Sequence, residues 1–255
     1  MVTGASSGIG EAFARRLAAA NHDLVLVARR VDRMRNLADE LQQQHGVKTD
    51  LVPVDLADSQ QVDRLVERLQ GISTLSHLIN NAGFGYMGDF VDLPLEKHLR
   101  MLDVHVTSLV RLTHAVLPGM LERDEGTVVN VASLAAWTVG PGQAMYNSTK
   151  AFVKSFTEAL HAEVAGTNVR VQALCPGITR TGFHDTDEFA NFNKSDMPNL
   201  WMSADEVVDA SLASLERNRA VCVPGFKNRV LASLFRFDTI RKAAGKTVRK
   251  APNSK

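Results

Sequence analysis

Met1-Val2-Thr3-Gly4-Ala5-Ser6-Ser7-Gly8-Ile9-Gly10 opens the chain and leads into an apolar helical pattern, Ala12-Phe13-Ala14 through Leu17-Ala18. The order is strand, glycine-rich turn, helix. Glycines in such a turn let the backbone bend tightly and approach a pyrophosphate, whose charge meets the amides and dipole of the helix N-terminus. The spacing Gly4-x-x-x-Gly8-x-Gly10 differs from the Gly-x-Gly-x-x-Gly fingerprint. A plain strand-to-helix turn has no use for three glycines, each of which costs conformational entropy on folding.

Further along, apolar runs alternate with helical patterns. Asp23 to Ala28 suits a parallel strand buried on both faces, and it ends at Arg29-Arg30. The edge of a second strand faces the adenosine ribose, where an acid binds the 2′-hydroxyl of NAD and an arginine accepts the 2′-phosphate of NADP. With Ala28-Arg29 in this place NADP(H) is preferred and NAD(H) stays open. The competing reading makes Arg29 and Arg30 solvated charges at the start of a surface helix. A helix is expected over Val31 to His45, a third strand over Val47 to Val54 ending in Asp55-Leu56, and a helix near Gln60 to Leu69. A carboxylate at that strand edge can accept from an adenine amino group. A fourth strand over Leu75 to Ile79 runs into Asn80-Asn81-Ala82-Gly83, a turn small enough for close backbone approach, although asparagine turns also form for local reasons.

Leu95 to about Leu121 reads as one long helix with an apolar face of Leu99, Leu102, Val106, Leu109, Val110 and Leu117. Thr127 to Ala132 is a fifth strand that delivers Ser133, and Val169 to Leu174 a sixth that ends in Cys175-Pro176-Gly177. The alternation gives the fold class α/β, a doubly wound parallel sheet whose ligands sit at the C-terminal strand edge. Tyr146 and Lys150 stand four apart and share one helix face, with Ser133 thirteen residues before the tyrosine. A free tyrosine titrates near about 10, too high for proton transfer at neutral pH, and a cation beside it favours the ionised form. Alone, the pair is equally an ordinary aromatic and a solvated lysine; its position in the chain has to decide.

Together these stretches resemble the short-chain dehydrogenase/reductase family. Thr3-Gly4-x-x-x-Gly8-x-Gly10, Asn80-Asn81-Ala82-Gly83, Ser133, Tyr146-x-x-x-Lys150 and Pro176-Gly177 occur in its order and spacing over roughly residues 1 to 225. The resemblance implies a Rossmann-type sheet of about seven strands with helices on both faces, and a nicotinamide cofactor without metal. It implies that Tyr146 is the general acid or base, that Ser133 polarises the substrate oxygen, and that Lys150 holds the nicotinamide ribose while lowering the tyrosine pKa. Around the cofactor it places Gly4, Ser6, Ser7, Gly8, Ile9, Gly10, Arg29, Asp55, Leu56, Asn81, Ala82, Gly83, Tyr146, Lys150, Pro176, Gly177, Ile178 and Thr181. The family's usual asparagine in the long helix, which helps hold a water connecting the lysine to solvent, is replaced by His105. A relay of altered pH dependence and a tolerated polar core residue are both open. Only Met1-Val2 precede Thr3, a short lead for a first strand, so a start further upstream is also open.

The implied function is NADP(H)-dependent interconversion of a ketone or aldehyde with its alcohol. Its rival is an NADP-binding sensor or scaffold without turnover, against which the intact Ser133, Tyr146 and Lys150 speak. From Thr181 to about Asn199 the rhythm lapses, and Phe183, Phe189, Phe192 and Met197 stand among polar residues as in the family's substrate lid. With Leu134, Trp137, Val139, Phe84 and Tyr86 they suggest an apolar pocket for a lipophilic substrate. The resemblance adds a homodimer or homotetramer assembled through helices over Leu95 to Leu121 and Ala144 to Ala165.

One domain over 1 to 225 with a basic helix or tail over 226 to 255 is expected from 255 residues, 45% hydrophobic and 22% charged. From Ala220 onward the charge is +8, against −7 for the remainder. Val230-Leu231, Leu234-Phe235 and Ile240 recur at helical spacing among Arg229, Arg236, Arg241 and Lys242. Such a helix either makes peripheral contact with an anionic membrane or packs over its own domain or a neighbouring subunit. The main body has no basic stripe for nucleic acid. Cys175 and Cys222 are too few for a disulfide framework or an all-protein zinc site and fit a reducing compartment. Without a visible signal peptide or an apolar run of about eighteen residues, a cytoplasmic placement is expected.

Overall fold

The computed structural model describes residues 1–182, 201–235 and 237. Seven parallel strands form one sheet, in the spatial order β3 (Thr49–Pro53), β2 (Leu24–Ala28), β1 (Val2–Thr3), β4 (His77–Asn80), β5 (Gly126–Val131), β6 (Val169–Leu174) and β9 (Val221–Cys222). The chain winds outward from β1 in both directions, so a crevice opens where β1 and β4 end side by side. Successive residues of the central strands enter opposite layers: Leu26, Ile79 and Val129 pack on one face, Val27, Leu78 and Val128 on the other. This is the period-two alternation of a strand buried on both sides. One layer holds α1 (Gly8–Ala19), α2 (Val31–His45) and α7 (Ala204–Glu216), and the other α3 (Ser59–Gln70), α5 (Ser108–Glu122) and α6 (Ala144–Glu163). The expected doubly wound sheet is therefore present, with helices on both faces.

The long helix expected over Leu95 to Leu121 is in three pieces. α4 (Leu95–Leu102) is joined to α5 by a π-helical turn, Asp103–Thr107. A π turn widens the helix by one residue and shifts the faces on either side of it. Met101, Val104, Leu109, Leu112, Val116 and Met120 are buried, whereas Leu99 and Leu102 of the expected apolar face are 49% and 37% exposed. Periodicity could not separate these faces because both are apolar.

The expected lid and its Phe183, Phe189, Phe192 and Met197 lie outside the described residues. Its flanks, β7 (Thr179–Arg180) and β8 (Met202–Ser203), pair in parallel. The C-terminal segment is described as α8 (Phe226–Leu234); Arg236, Ile240, Arg241 and Lys242 lie outside the described residues. No described helix is long and apolar enough to cross a membrane.

Candidate active site

β1 ends in the glycine turn, and α1 starts at Gly8 with Ser7 as its N-cap. The Ser7 side chain caps no amide; its hydroxyl accepts from Arg30 Nη2 at 2.6 Å. Amides of the first helical turn are thereby left for an anion. Arg30 also donates to Ser6 Oγ at 2.9 and 3.1 Å. Desolvation, then the charges of Arg33 and Arg29, lower its pKa, and no carboxylate pairs with it among the described residues. This is an excess of positive charge beside an uncapped helix, as a phosphate group requires.

The glycines answer to packing as well as to phosphate. Gly4 and Gly8 have φ of +65° and +60°, in the left-handed region. A Cβ on Gly4 would lie 2.7 Å from Asn81 Nδ2, one on Gly8 would lie 2.8 Å from Thr181 Cβ, and one on Gly10 would collide with Asn81 Nδ2 and the Gly4 carbonyl. Asn81 Nδ2 donates to the Thr3 carbonyl at 2.9 Å, and Thr3 Oγ1 accepts from the Asn81 and Ala82 amides at 2.9 and 3.0 Å. The Asn81 turn is thus clamped to the glycine turn. Ile9 packs against the core cluster under α1. On the opposite side of β1, the Asp55 carboxyl accepts from Arg100 Nη2 at 2.6 Å and from the Ala57 amide at 3.1 Å. Desolvation pushes this carboxyl up, but the Arg100 bond, the amide and the charges of Arg100 and Arg29 hold it below the ordinary range.

Ser133 leaves β5 with extended backbone and caps the short 3-10 turn Leu134–Trp137, its Oγ accepting from the Ala135 amide at 3.1 Å. The same hydroxyl lies beside the Tyr146 phenol. Tyr146 is half-buried, and loss of water around the phenol raises its pKa while the Ser133 hydroxyl opposes the rise. Lys150, one helical turn on, is 4% exposed; its Nζ donates to the Val131 carbonyl at 2.9 Å and stands 5.9 Å from the centre of the Tyr146 ring. Burial lowers this ammonium to about 8. The expected lowering of the tyrosine by Lys150 is therefore not met in this arrangement, because desolvation governs the phenol and the ammonium points to Val131.

His105 sits in the π turn, 2% exposed. Its Nε2 accepts from the Phe84 amide at 3.1 Å, so the ring proton is on Nδ1 and is donated to Thr149 Oγ1 at 2.9 Å. Thr149 Oγ1 in turn donates to the Tyr146 carbonyl at 2.9 Å. Burial, and then the Lys150 charge, keep the ring neutral, with a pKa well below the ordinary histidine range. Gly83 fits between them: a Cβ there would lie 3.1 Å from His105 Nε2 and 3.5 Å from Lys150 Nζ. Leu56, Ala82, His105 and Lys150 line a small enclosed cavity of ≈ 10 Å³, room for about one water. His105→Ala is expected to leave the Phe84 amide without its acceptor, while the Thr149 hydroxyl keeps the Tyr146 carbonyl, and to destabilise the fold by about 1–3 kcal/mol in denaturant titration. The parent's pH–rate profile should carry no step in the histidine range; a step there that vanishes in His105→Asn would make the residue a proton relay instead.

On the far side, the Leu134 amide donates to the Pro176 carbonyl at 2.9 Å and the Met202 amide to the Ile178 carbonyl at 3.1 Å. A Cβ on Gly177 would lie 2.6 Å from Asn228 Nδ2. The Pro176-Gly177-Ile178 loop is thus pinned beside Ser133. Gly4, Arg29, Asp55, Asn81, Ser133 and Pro176 stand just beyond the C-terminal ends of their strands, while His105 on the π turn and Tyr146 and Lys150 on α6 reach that edge from the helical layer.

Residues 1–189 match the family model described as short chain dehydrogenase. The chain belongs to this family. Membership carries the reaction class, oxidoreduction between an alcohol and its carbonyl. A sulfoacetaldehyde reductase of Chromohalobacter salexigens is 41% identical over 185 residues, 71% of this chain and 72% of the relative. A solved short-chain dehydrogenase from Sphingobium yanoikuyae in complex with NADPH is similar at a TM-score of 0.83 and 32% identity, covering 100% of this chain and 96% of that one. A bulky-bulky ketone specific alcohol dehydrogenase from Comamonas testosteroni gives 0.79 and 30%, covering 99% and 95%. Four residues of this short chain dehydrogenase's site carry no clear signal in its sequence. Arg30 reads there as a solvated charge, Thr3 belongs to the glycine motif but its clamp on Asn81 and Ala82 has no signal, Thr149 stands at an unspecified motif position, and Arg100 reaches Asp55 across 45 residues.

Proposed function

We propose that this chain is an NADP(H)-dependent oxidoreductase that interconverts a lipophilic ketone or aldehyde with its alcohol, with Tyr146 as the acid/base. The observation that carries this reading is the Ser133 hydroxyl beside the Tyr146 phenol, with a buried Lys150 one helical turn on, at the C-terminal sheet edge. A nicotinamide cofactor supplies or accepts the hydride when bound. Gly4, Ser7, Gly8 and the α1 amides would hold its pyrophosphate, Arg29 and Arg30 the 2′-phosphate, Asp55 and Leu56 the adenine. Asn81 to Gly83, Lys150, Pro176 to Ile178 and Thr181 would face the nicotinamide ribose and ring.

Ser133 and Tyr146 present two donors to one carbonyl oxygen, where negative charge grows as the carbon is reduced. Tyr146 then delivers its proton. A phenol held above its ordinary pKa carries its proton at neutral pH and gives it up only to an oxygen more basic than itself, as the alkoxide formed by reduction is. The Lys150 ammonium adds positive charge in a desolvated setting, where it acts most strongly. Phe84 and Tyr86, edge to face at 5.2 Å, with His105 5.5 Å from Phe84, give the apolar wall that supports a lipophilic substrate. Leu95, Leu99 and Leu102 on α4 and Phe152 on α6 are exposed, which supports assembly with a second copy through this layer.

The test is a fluorescence titration with NADPH and NADH, followed by a panel from bulky apolar ketones to a short anionic aldehyde. NADPH should bind more tightly and be oxidised with the bulky ketones. Arg30→Ala should weaken NADPH about 10- to 100-fold and leave NADH within a few-fold, since a charge-assisted contact contributes about 1.5–3 kcal/mol. Equal loss for both cofactors would remove Arg30 from 2′-phosphate recognition, and binding without turnover across the panel would favour a sensor.

A further inference from the structure

We propose that the outer face of α8 docks on an anionic lipid surface. The helix has two unlike faces. The inner one is fixed: Asn228 and Ala232 are 3% and 7% exposed, and Asn228 Nδ2 donates to the Pro224 carbonyl at 2.9 Å and lies 3.5 Å from Met202 Sδ. Through this residue α8 presses on Gly177. The outer face carries Phe226, Val230 and Leu234 at successive four-residue steps, which place them on one stripe. Phe226 is 71% exposed, and Phe237 just beyond the helix is 64% exposed. Arg229, Val230, Ser233, Leu234 and Phe237 line an open groove of ≈ 280 Å³, and the Arg229 guanidinium stands 6.0 Å from the Phe226 ring centre.

Charge decides the occupant. From Ala220 onward the chain carries nine Lys or Arg and a single acid, a charge of +8, while the rest carries −7. Lys227 and Arg229 belong to α8 itself and the other seven bases follow it in sequence, so two copies meeting through α8 would bring like charges together in a symmetric contact. An anionic lipid surface neutralises that charge and at the same time removes the phenylalanine rings from water. An apolar stripe on a short helix flanked by Lys and Arg is the pattern of an interfacial helix, with attraction to anionic lipid added for each basic residue near the surface. Docking would leave the Pro176-Gly177 loop about one helix diameter, ~10 Å, from the lipid. The docking does not depend on which carbonyl is reduced, or on whether turnover occurs at all.

The test is co-sedimentation of the full chain with vesicles of phosphatidylcholine containing about 30% phosphatidylserine, and with phosphatidylcholine alone. Binding is expected to the anionic vesicles only, and to fall at least about tenfold between roughly 0.05 and 0.5 M salt. The Phe226→Ser, Phe237→Ser double variant should bind at least about tenfold more weakly while keeping the parent's circular dichroism and NADPH titration. Absence of binding to anionic vesicles at low salt would overturn the proposal. So would undiminished binding by the double variant, which would assign the effect to the tail charge alone. Light scattering on both proteins supplies the remaining arm: an oligomer present in the parent and lost in the variant would give the face to a second copy of the chain.

Discussion

Tyr146→Phe is expected to lower kcat by about a thousandfold or more while leaving NADPH affinity within a few-fold of the parent. The change removes a single oxygen. In the proposed reaction that oxygen is the proton source for the substrate, and a positioned acid contributes about 10²–10⁴ in rate, with loss of the second donor to the carbonyl oxygen adding to this. Little else should move. The ring keeps its edge contact with His105, whose centre is 5.9 Å away, and the backbone carbonyl keeps the Thr149 hydroxyl, which itself accepts from His105. Ser133 Oγ retains the Ala135 amide. Single-turnover measurement of NADPH oxidation with a saturating ketone separates the chemical step from binding. Turnover unaltered by the substitution would remove Tyr146 from the mechanism.

Lys150→Met should have opposite effects on activity and stability. Activity should fall at least about a hundredfold, because the desolvated charge beside Tyr146 and the donor proposed for the ribose are both lost. Stability should rise at pH 7. Burial brings the folded-state pKa of Lys150 from 10.5 down to about 8, so below pH 8 the folded chain carries an ammonium that the unfolded chain carries in water at no such cost. Between pH 8 and 10.5 the unfolded state binds more protons than the folded one, and stability of the parent increases with pH across that window. Methionine has similar length and no charge. Thermal unfolding should therefore show the variant more stable by about 1–3 kcal/mol at pH 7, or roughly 3–10 °C, with the gap closing towards pH 10.5. A variant less stable than the parent at pH 7 would mean that the Val131 carbonyl and its surroundings offset the cost of burying the charge. Together the two substitutions separate proton delivery from charge: the first should cost rate without stability, the second rate with a gain in stability.

The limits of sequence reading show at particular residues. Arg29 and Arg30 are adjacent and chemically identical, and a strand-edge argument favours the first. The geometry instead puts Arg30 on Ser6 and Ser7, because the N-cap position of α2 turns its side chain back over the glycine turn, while Arg29 bears on Asp55 only through its charge. A cationic effect of Lys150 on Tyr146 is what their spacing predicts, yet a shared helix face does not say where the ammonium points, and it points to the Val131 carbonyl. His105 is visible as a departure from a family pattern, but its tautomer follows from the Phe84 amide and Thr149 hydroxyl, which reach it from 21 and 44 residues away.

What the sequence determined by itself is what depends on local order. The alternation of apolar runs and helical patterns made a parallel doubly wound sheet the consistent solution, since a strand hydrophobic on both faces has to lie between two helical layers. The Gly4, Gly8 and Gly10 spacing required a turn that other residues cannot make, and the four-residue step from Tyr146 to Lys150 required one helix face. Tertiary structure decided what depends on partners remote in the chain. It interrupted the long helix with a π turn and sorted its two apolar stripes into a buried and an exposed one. It paired Asp55 with Arg100, fixed the proton of His105, and turned Lys150 to the Val131 carbonyl. Hydrogen-bond direction and desolvation are properties of the assembled neighbourhood, and no spacing within one element specifies them.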